Sequence, residues 1–216
     1  MERTLKRTPL GPRHEGMGAV MAEYRGWQVA SQFTSPEQEA RQVRETAGLA
    51  DWSWMSKFDL KGYGLKTTPQ IEAGADIWPL APCHYLATTE NTDREEILAR
   101  LAPLCNAQMP ACLTDVTSVY AALLLAGPHS RDVLQKLTTL DVSDQSLPDG
   151  ACAQASLSHV HAIFLRRDVG ALPAFRLLVS REYAEYVWDS VMHAGHACRI
   201  TPFGTACRSL LGGVSK

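Results

Sequence analysis

FRLLVSREYAEYVWDSV, residues 175–191, changes its hydrophobic period at Ser180. Ala174 to Val179 reads as a strand, with Phe175 and Leu177 to Val179 as its short apolar run. Beyond Ser180, which is placed to cap a helix, Tyr183, Tyr186, Val187, Trp188 and Val191 lie at helical spacing ahead of Gly195. HYLATTENTDREEILARL, residues 84–101, repeats the plan. There a strand from His84 to Thr88 meets a capping box, Thr92 to Glu95, and a helix with Ile97, Leu98 and Leu101 on one face. Two such units in one chain predict two related α+β lobes. No low-complexity segment or linker divides them, so the expectation is one continuous body.

Working outward, Ser118 to Ala126 reads as an apolar strand that Gly127-Pro128 turns into a helix carrying Val133, Leu134 and Leu137. Pro148-Asp149-Gly150 is a turn signal before a strand pair, Cys152 to Leu157 and Val160 to Arg166. Ser35-Pro36-Glu37-Gln38 starts a helix predicted to end near Gly48, with Ser35 as cap and Gln38 able to reach back. From Ser56 to Lys61, Lys57, Asp59 and Lys61 alternate with Phe58 and Leu60, the period of a half-buried strand. Lys61 to Pro82, rich in glycine and proline, reads as loop.

With 216 residues, 45% of them hydrophobic, the chain can bury a substantial core. A net charge of -2 argues against the broad basic footprint of a nucleic-acid or anionic-membrane binder. The local basic excess at Arg3, Lys6, Arg7 and Arg13 reads as a solvated terminus. No apolar stretch approaches the ~20 residues of a membrane helix. Met1 to Gly18 has no apolar core like a signal peptide's, so a cytoplasmic location is expected. The six cysteines contain no Cys-x-x-Cys pair and read as free thiols. Cys83-His84 with His159-x-His161 is a conceivable zinc set, but alternate strand positions share a face for packing reasons alone, and no metal is predicted.

The N-terminal quarter carries an ordered series: Thr8-Pro9-Leu10, His14, Gly26-Trp27, Ala47-Gly48-Leu49-Ala50-Asp51 and Met55-Ser56-Lys57. This order resembles the opening of the glycine-cleavage T-protein family, the folate-binding aminomethyltransferases. Ala50, Trp54 and Ser56 stand where that family has phenylalanine, histidine and glycine. The likeness continues through Tyr85 to Thr89 with Arg94-Glu95, Leu123 to Asp132, Phe175 to Trp188, and Pro202 to Arg208. It stops where full-length T-proteins continue into a C-terminal barrel. The resemblance implies that residues 1–216 are a single folate-binding domain without that barrel, an α+β fold of two related lobes of antiparallel sheet with helices packed on them.

It also implies chemistry. The cofactor would be tetrahydrofolate, the substrate a small amino- or methyl-bearing molecule, and the role accessory or weakly catalytic. An acidic residue ahead of the tyrosine-leucine segment assists at the folate N5 in such proteins, because a carboxylate can stabilise an iminium-like cation. Asp76 is the candidate here, as catalytic and folate-binding residue. Met55 matches the family's methionine, a soft side chain suited to a flat ring. Trp52, Trp54, Trp78 and Tyr85 could line a planar-ligand pocket, or serve as core. Where the family places a pterin-binding glutamate, this chain has Arg176, which offers donors and no acceptor. Either folate binds differently, or the ligand carries a carboxylate, or the pocket is vestigial. Cys152 has no base beside it in sequence and reads as a structural thiol.

The segment Leu147 to Gln154 is similar to one in the small gamma-type subunit of heterotetrameric sarcosine oxidase. That likeness implies an alternative: a non-catalytic subunit packed against a larger oxidase or methyltransferase chain. It would leave an apolar face uncovered near Phe203 to Leu211.

Overall fold

Arg25 and Gly26 have positive φ of 53° and 82°, the conformation that a two-residue hairpin turn demands, and they join the first two long strands. The computed structural model describes residues 4–63, 74–90, 94–104 and 111–212. Strand β1 (Lys6–Arg7), helix α1 (Gly11–Gly16), β2 (Val20–Tyr24) and β3 (Trp27–Gln32) form the N-terminal unit. Its three-stranded sheet has the order β1-β3-β2, with β1 parallel to β3.

Helix α2 (Pro36–Glu45) begins as Ser35 and Pro36 dictate, the Ser35 hydroxyl accepting from Gln38 N at 3.2 Å. Gln38 does not complete the box. Instead the buried Glu39 carboxylate accepts from Phe33 N at 2.6 Å and Thr34 N at 2.9 Å, and its second oxygen from Gly204 N at 2.9 Å. The helix stops at Glu45 rather than at Gly48, because Gly48 opens the next strand.

Strands β4 (Gly48–Asp51), β5 (Ser56–Lys61), β6 (Asp76–Ala81) and β7 (His84–Thr89) lead to α3 (Arg94–Leu101). Then come β8 (Cys112–Asp115), β9 (Tyr120–Ala126), α4 (Ser130–Leu134), β10 (Cys152–Leu157), β11 (Val160–Arg166), β12 (Ala174–Ser180), α5 (Ala184–Ala194), β13 (Thr201–Pro202) and α6 (Arg208–Leu211). They make a six-stranded sheet of order β10-β11-β12-β9-β4-β13 and a four-stranded sheet of order β6-β7-β5-β8. Every pairing in these two sheets is antiparallel except β13 with β4. The α+β reading therefore stands, with helices packed on antiparallel sheets.

The six-stranded sheet is buried on both faces, which is why β9 is a continuous apolar run. Phe175, Leu177 and Val179 of β12 share a core with Val133, Leu134, Val187, Trp188 and Val191. Ala174, Arg176 and Leu178 face a second core containing Trp52, Trp54, Trp78, Leu86 and Phe203. Phe58, Leu60, Tyr85, Ala87, Ile97 and Leu101 form a third.

Four expectations are corrected. The stretch from Lys61 to Pro82 is not all loop: β6 occupies its end, and Pro79 is tolerated because β6 is an edge strand whose register shifts between Pro79 and Ala81. Residues 64–73 of that stretch, and Thr92 and Asp93 of the predicted capping box, lie outside the described residues. Ser180 makes no capping bond; it ends β12, and one 3-10 turn, Arg181–Tyr183, precedes α5. Near the C-terminal side Phe203, Cys207 and Leu211 are buried in the second core rather than forming an uncovered apolar face. Finally, Lys57 does not point to solvent. It is 0% exposed, since Ser56 to Phe58 are covered on both faces. Its Nζ donates to Ser53 O at 3.0 Å and Met55 O at 2.6 Å, and burial pushes its pKa down to about 7.

Candidate functional site

Strand parity decides which side chains meet between the sheets. Asp76 is directly opposite Thr88, so Asp76, Thr88 and Trp78 share the face of the four-stranded sheet that also carries Leu86. Tyr85 and Ala87 point to the other face, into the third core beneath α3. On the facing sheet, Arg176 lies opposite Leu165 and Leu124. The loop entering β5 brings Trp52 and Met55 beside it.

Two adjoining clefts result, of about 460 and 350 Å³, and Glu90, Arg176 and Arg208 line both. The larger is walled by Trp52, Leu124, Val169, Phe203 and Leu211. The smaller adds Met55, Asp76, Thr88, Thr89 and Arg167. Of the four sequence-predicted site residues, the structure thus brings Met55, Asp76 and Arg176 together and leaves Tyr85 on the opposite face. Of the aromatic set, Trp52 reaches the larger cleft. Trp54 is buried against Tyr24 and Trp52, and Trp78 donates to Thr88 Oγ1 at 2.8 Å.

Charge is distributed unevenly here. Arg167 pairs with Asp76 and stacks over Trp78, 5.4 Å from the ring centre. Arg208 pairs with Glu90, which also accepts from Trp52 Nε1 at 3.3 Å. Arg176, 8% exposed, stands between the two carboxylates but is bonded to neither: Nη1 is 3.9 Å from Asp76 and Nη2 is 3.8 Å from Glu90. Its Nε and Nη1 have no hydrogen-bond partner among the described residues. Burial pushes this guanidinium below its ordinary pKa, with Glu90 and Asp76 opposing. Asp168 also lines the larger cleft, yet both its oxygens hold Arg166, at 3.1 and 3.0 Å.

Glu90, Arg167 and Arg208 escape a reading from sequence alone. Each sits just beyond an apolar strand or turn, where a charged residue is ordinary; Arg208 closes the Pro202 to Arg208 motif, the one signal that could have flagged it. Cys152 donates to Pro79 O at 3.1 Å, and burial raises its pKa, so it is held as a thiol. Among the described residues, no group of three histidine, cysteine or acidic side chains is placed to hold a metal, and no helix is long and apolar enough to cross a membrane.

An α+β domain with an aromatic-walled, arginine-rich cleft between two antiparallel sheets is the class this geometry defines. The family model for the GCVT N-terminal domain matches residues 65–212, and the chain belongs to that family. The aminomethyltransferase of Geobacillus thermodenitrificans (strain NG80-2) is 29% identical over 236 aligned residues, covering 96% of this chain and 63% of that protein. The chain thus spans about 63% of the length of these curated relatives. Among solved structures, the glycine cleavage system aminomethyltransferase T from Bartonella henselae superposes with a TM-score of 0.77 at 18% identity, covering 96% of this chain and 62% of its own. A chain of the heterotetrameric sarcosine oxidase from Corynebacterium sp. U-96, solved in complex with pyrrole 2-carboxylate, gives 0.62 at 17% identity, covering 90% of this chain and 96% of its own. These two show the fold.

Proposed function

We propose that this domain binds a tetrahydrofolate in the cleft between its two larger sheets and serves one-carbon transfer from a small amino- or methyl-bearing substrate, in an accessory or weakly catalytic role. The observation that carries the reading is the larger cleft itself. Its volume of about 460 Å³ lies in the range of small-molecule sites, and Trp52 and Phe203 supply aromatic walls. When bound, the folate supplies a nitrogen that accepts or delivers a one-carbon unit. The residues fit it in part: Trp52, Phe203 and Met55 would pack a flat ring, while Arg167, Arg176 and Arg208 would hold carboxylates. Asp76 would orient an amine at the cleft through Oδ2, while Oδ1 keeps its hold on Arg167. Tyr85 would act on the site only through the sheet, by packing β7 against α3.

A titration of the purified chain with tetrahydrofolate and its 5,10-methylene form, read by quenching of tryptophan fluorescence, to which Trp52 in the cleft contributes, tests this. Saturation below millimolar ligand supports it; no binding by folded protein removes it. Asp76→Ala with unchanged turnover would take Asp76 out of the catalytic place.

A second reading rests on the sarcosine oxidase likeness, where this fold accounts for nearly all of a subunit chain. In it the domain is a non-catalytic subunit of a larger oxidase or methyltransferase, in the cytoplasm. Co-purification of a tagged chain with such an enzyme, at fixed stoichiometry, supports this alternative; a chain that purifies alone from its native host counts against it.

A further inference from the structure

A buried arginine without hydrogen bonds is a costly arrangement, because leaving a desolvated charged donor unsatisfied forfeits its water and gains nothing. Arg176 is in that state at Nε and Nη1, although two carboxylates lie close by. Each carboxylate is anchored through one oxygen to another arginine, Asp76 Oδ1 to Arg167 and Glu90 Oε2 to Arg208, and presents its second oxygen to Arg176 only at 3.9 and 3.8 Å. The five groups sum to three positive and two negative charges. One more anion would balance them, and a carboxylate matches the planar fork of a guanidinium with two parallel bonds.

We infer that the floor of this cleft is a carboxylate-binding site, in which Arg176 takes the carboxylate of a ligand head-on, Arg167 and Arg208 flank it, and the ligand's apolar or aromatic body lies against Trp52, Leu124 and Phe203. The inference deepens the proposed reading of the cleft as a ligand site, but does not require that the ligand be folate. Both the glutamyl end of a folate and a free aromatic or amino acid present this chemistry. For a folate, it sets the glutamyl end, not the pterin, against β12.

Four probes separate these sources: benzoate, p-aminobenzoylglutamate, 6-methyltetrahydropterin (a ring without a carboxylate) and tetrahydrofolate. Each is titrated by calorimetry and tryptophan fluorescence into the wild-type chain and Arg176→Gln, with thermal melting as the folding check. The expected result is that benzoate or p-aminobenzoylglutamate binds, that benzamide does not compete, and that Arg176→Gln weakens the binding about ten-fold or more. Arg176→Lys, which keeps the charge but loses the fork, is the second variant should Arg176→Gln not fold, and it too is expected to weaken binding several-fold. Carboxylate probes that fail to bind the wild-type chain, or that bind both variants equally well, overturn the inference. So does inorganic phosphate binding more tightly than either carboxylate probe. If benzoate binds through Arg176 while tetrahydrofolate does not bind, the carboxylate site stands and the folate reading falls. If tetrahydrofolate or the pterin binds, is not displaced by benzoate and ignores Arg176→Gln, the folate reading stands and this inference falls.

Discussion

Lys57→Met should abolish a rise in stability with pH that the wild-type chain shows between about pH 7 and pH 9. Lys57 is fully buried, with its ammonium bonded among the described residues to two backbone carbonyls, and its pKa is pushed from 10.5 to about 7. The unfolded chain therefore binds more protons than the folded one throughout that window, and stability climbs as pH rises. Over the whole interval the linkage amounts to about 5 kcal/mol, of which about 2 kcal/mol falls between pH 7 and pH 9. His14 is held below its ordinary value of 6.5 and acts on the acid side, while Tyr120, Cys152 and Cys207, raised above 10.0, 9.0 and 9.0, act with the opposite sign on the alkaline side. The two thiols begin to oppose Lys57 near the top of the window, equally in both proteins, so the difference between wild type and Lys57→Met isolates the lysine. Urea unfolding at three pH values across the window measures the slope in both proteins. A Lys57→Met slope equal to the wild type's would refute the reasoning.

Further expectations follow from other buried polar groups. His14 stacks edge-on against Phe33 and Trp188 with neither ring nitrogen bonded among the described residues. Its folded pKa is lowered by burial, so stability should fall as pH drops below about 6.5, and His14→Phe should flatten that loss in acid melts. Glu39→Ala strands three backbone N–H groups and should cost about 3 kcal/mol or more in denaturant unfolding, with Glu39→Gln costing roughly half as much. At Gly204 a Cβ would stand 2.0 Å from Ser31 O, so Gly204→Ala should lower stability by about 3 kcal/mol or more, visible as a large drop in melting temperature.

Much of the fold was legible because its strands are short, apolar and bounded by turn residues. Cys152 to Leu157, Val160 to Arg166 and Ala174 to Val179 were read almost to the residue, since Asp149-Gly150 and Ser158-His159 punctuate them. What failed did so where tertiary contacts decide. Alternation placed Lys57 outward, but period 2 cannot reveal that the start of a strand is covered on both faces. Pro79 argued for loop, and only its edge position makes a strand possible. Asp76, Met55 and Arg176 were within reach of a sequence resemblance. Glu90 and Arg167 were not, and Arg208 only through the Pro202 to Arg208 motif, because the cleft gathers them from separate segments that nothing local ties together.

The parallel docking of β13 on β4 sets a timetable for folding. The six-stranded sheet draws on residues 48–51, 120–126 and 201–202, and Glu39 finds its third donor only at Gly204. A nascent chain that has emerged to about residue 190 holds β4 with one edge bare and the Phe203 socket beside Gly48 unfilled. Closure of this edge therefore joins residues about 150 positions apart, a non-local contact of the kind that slows folding.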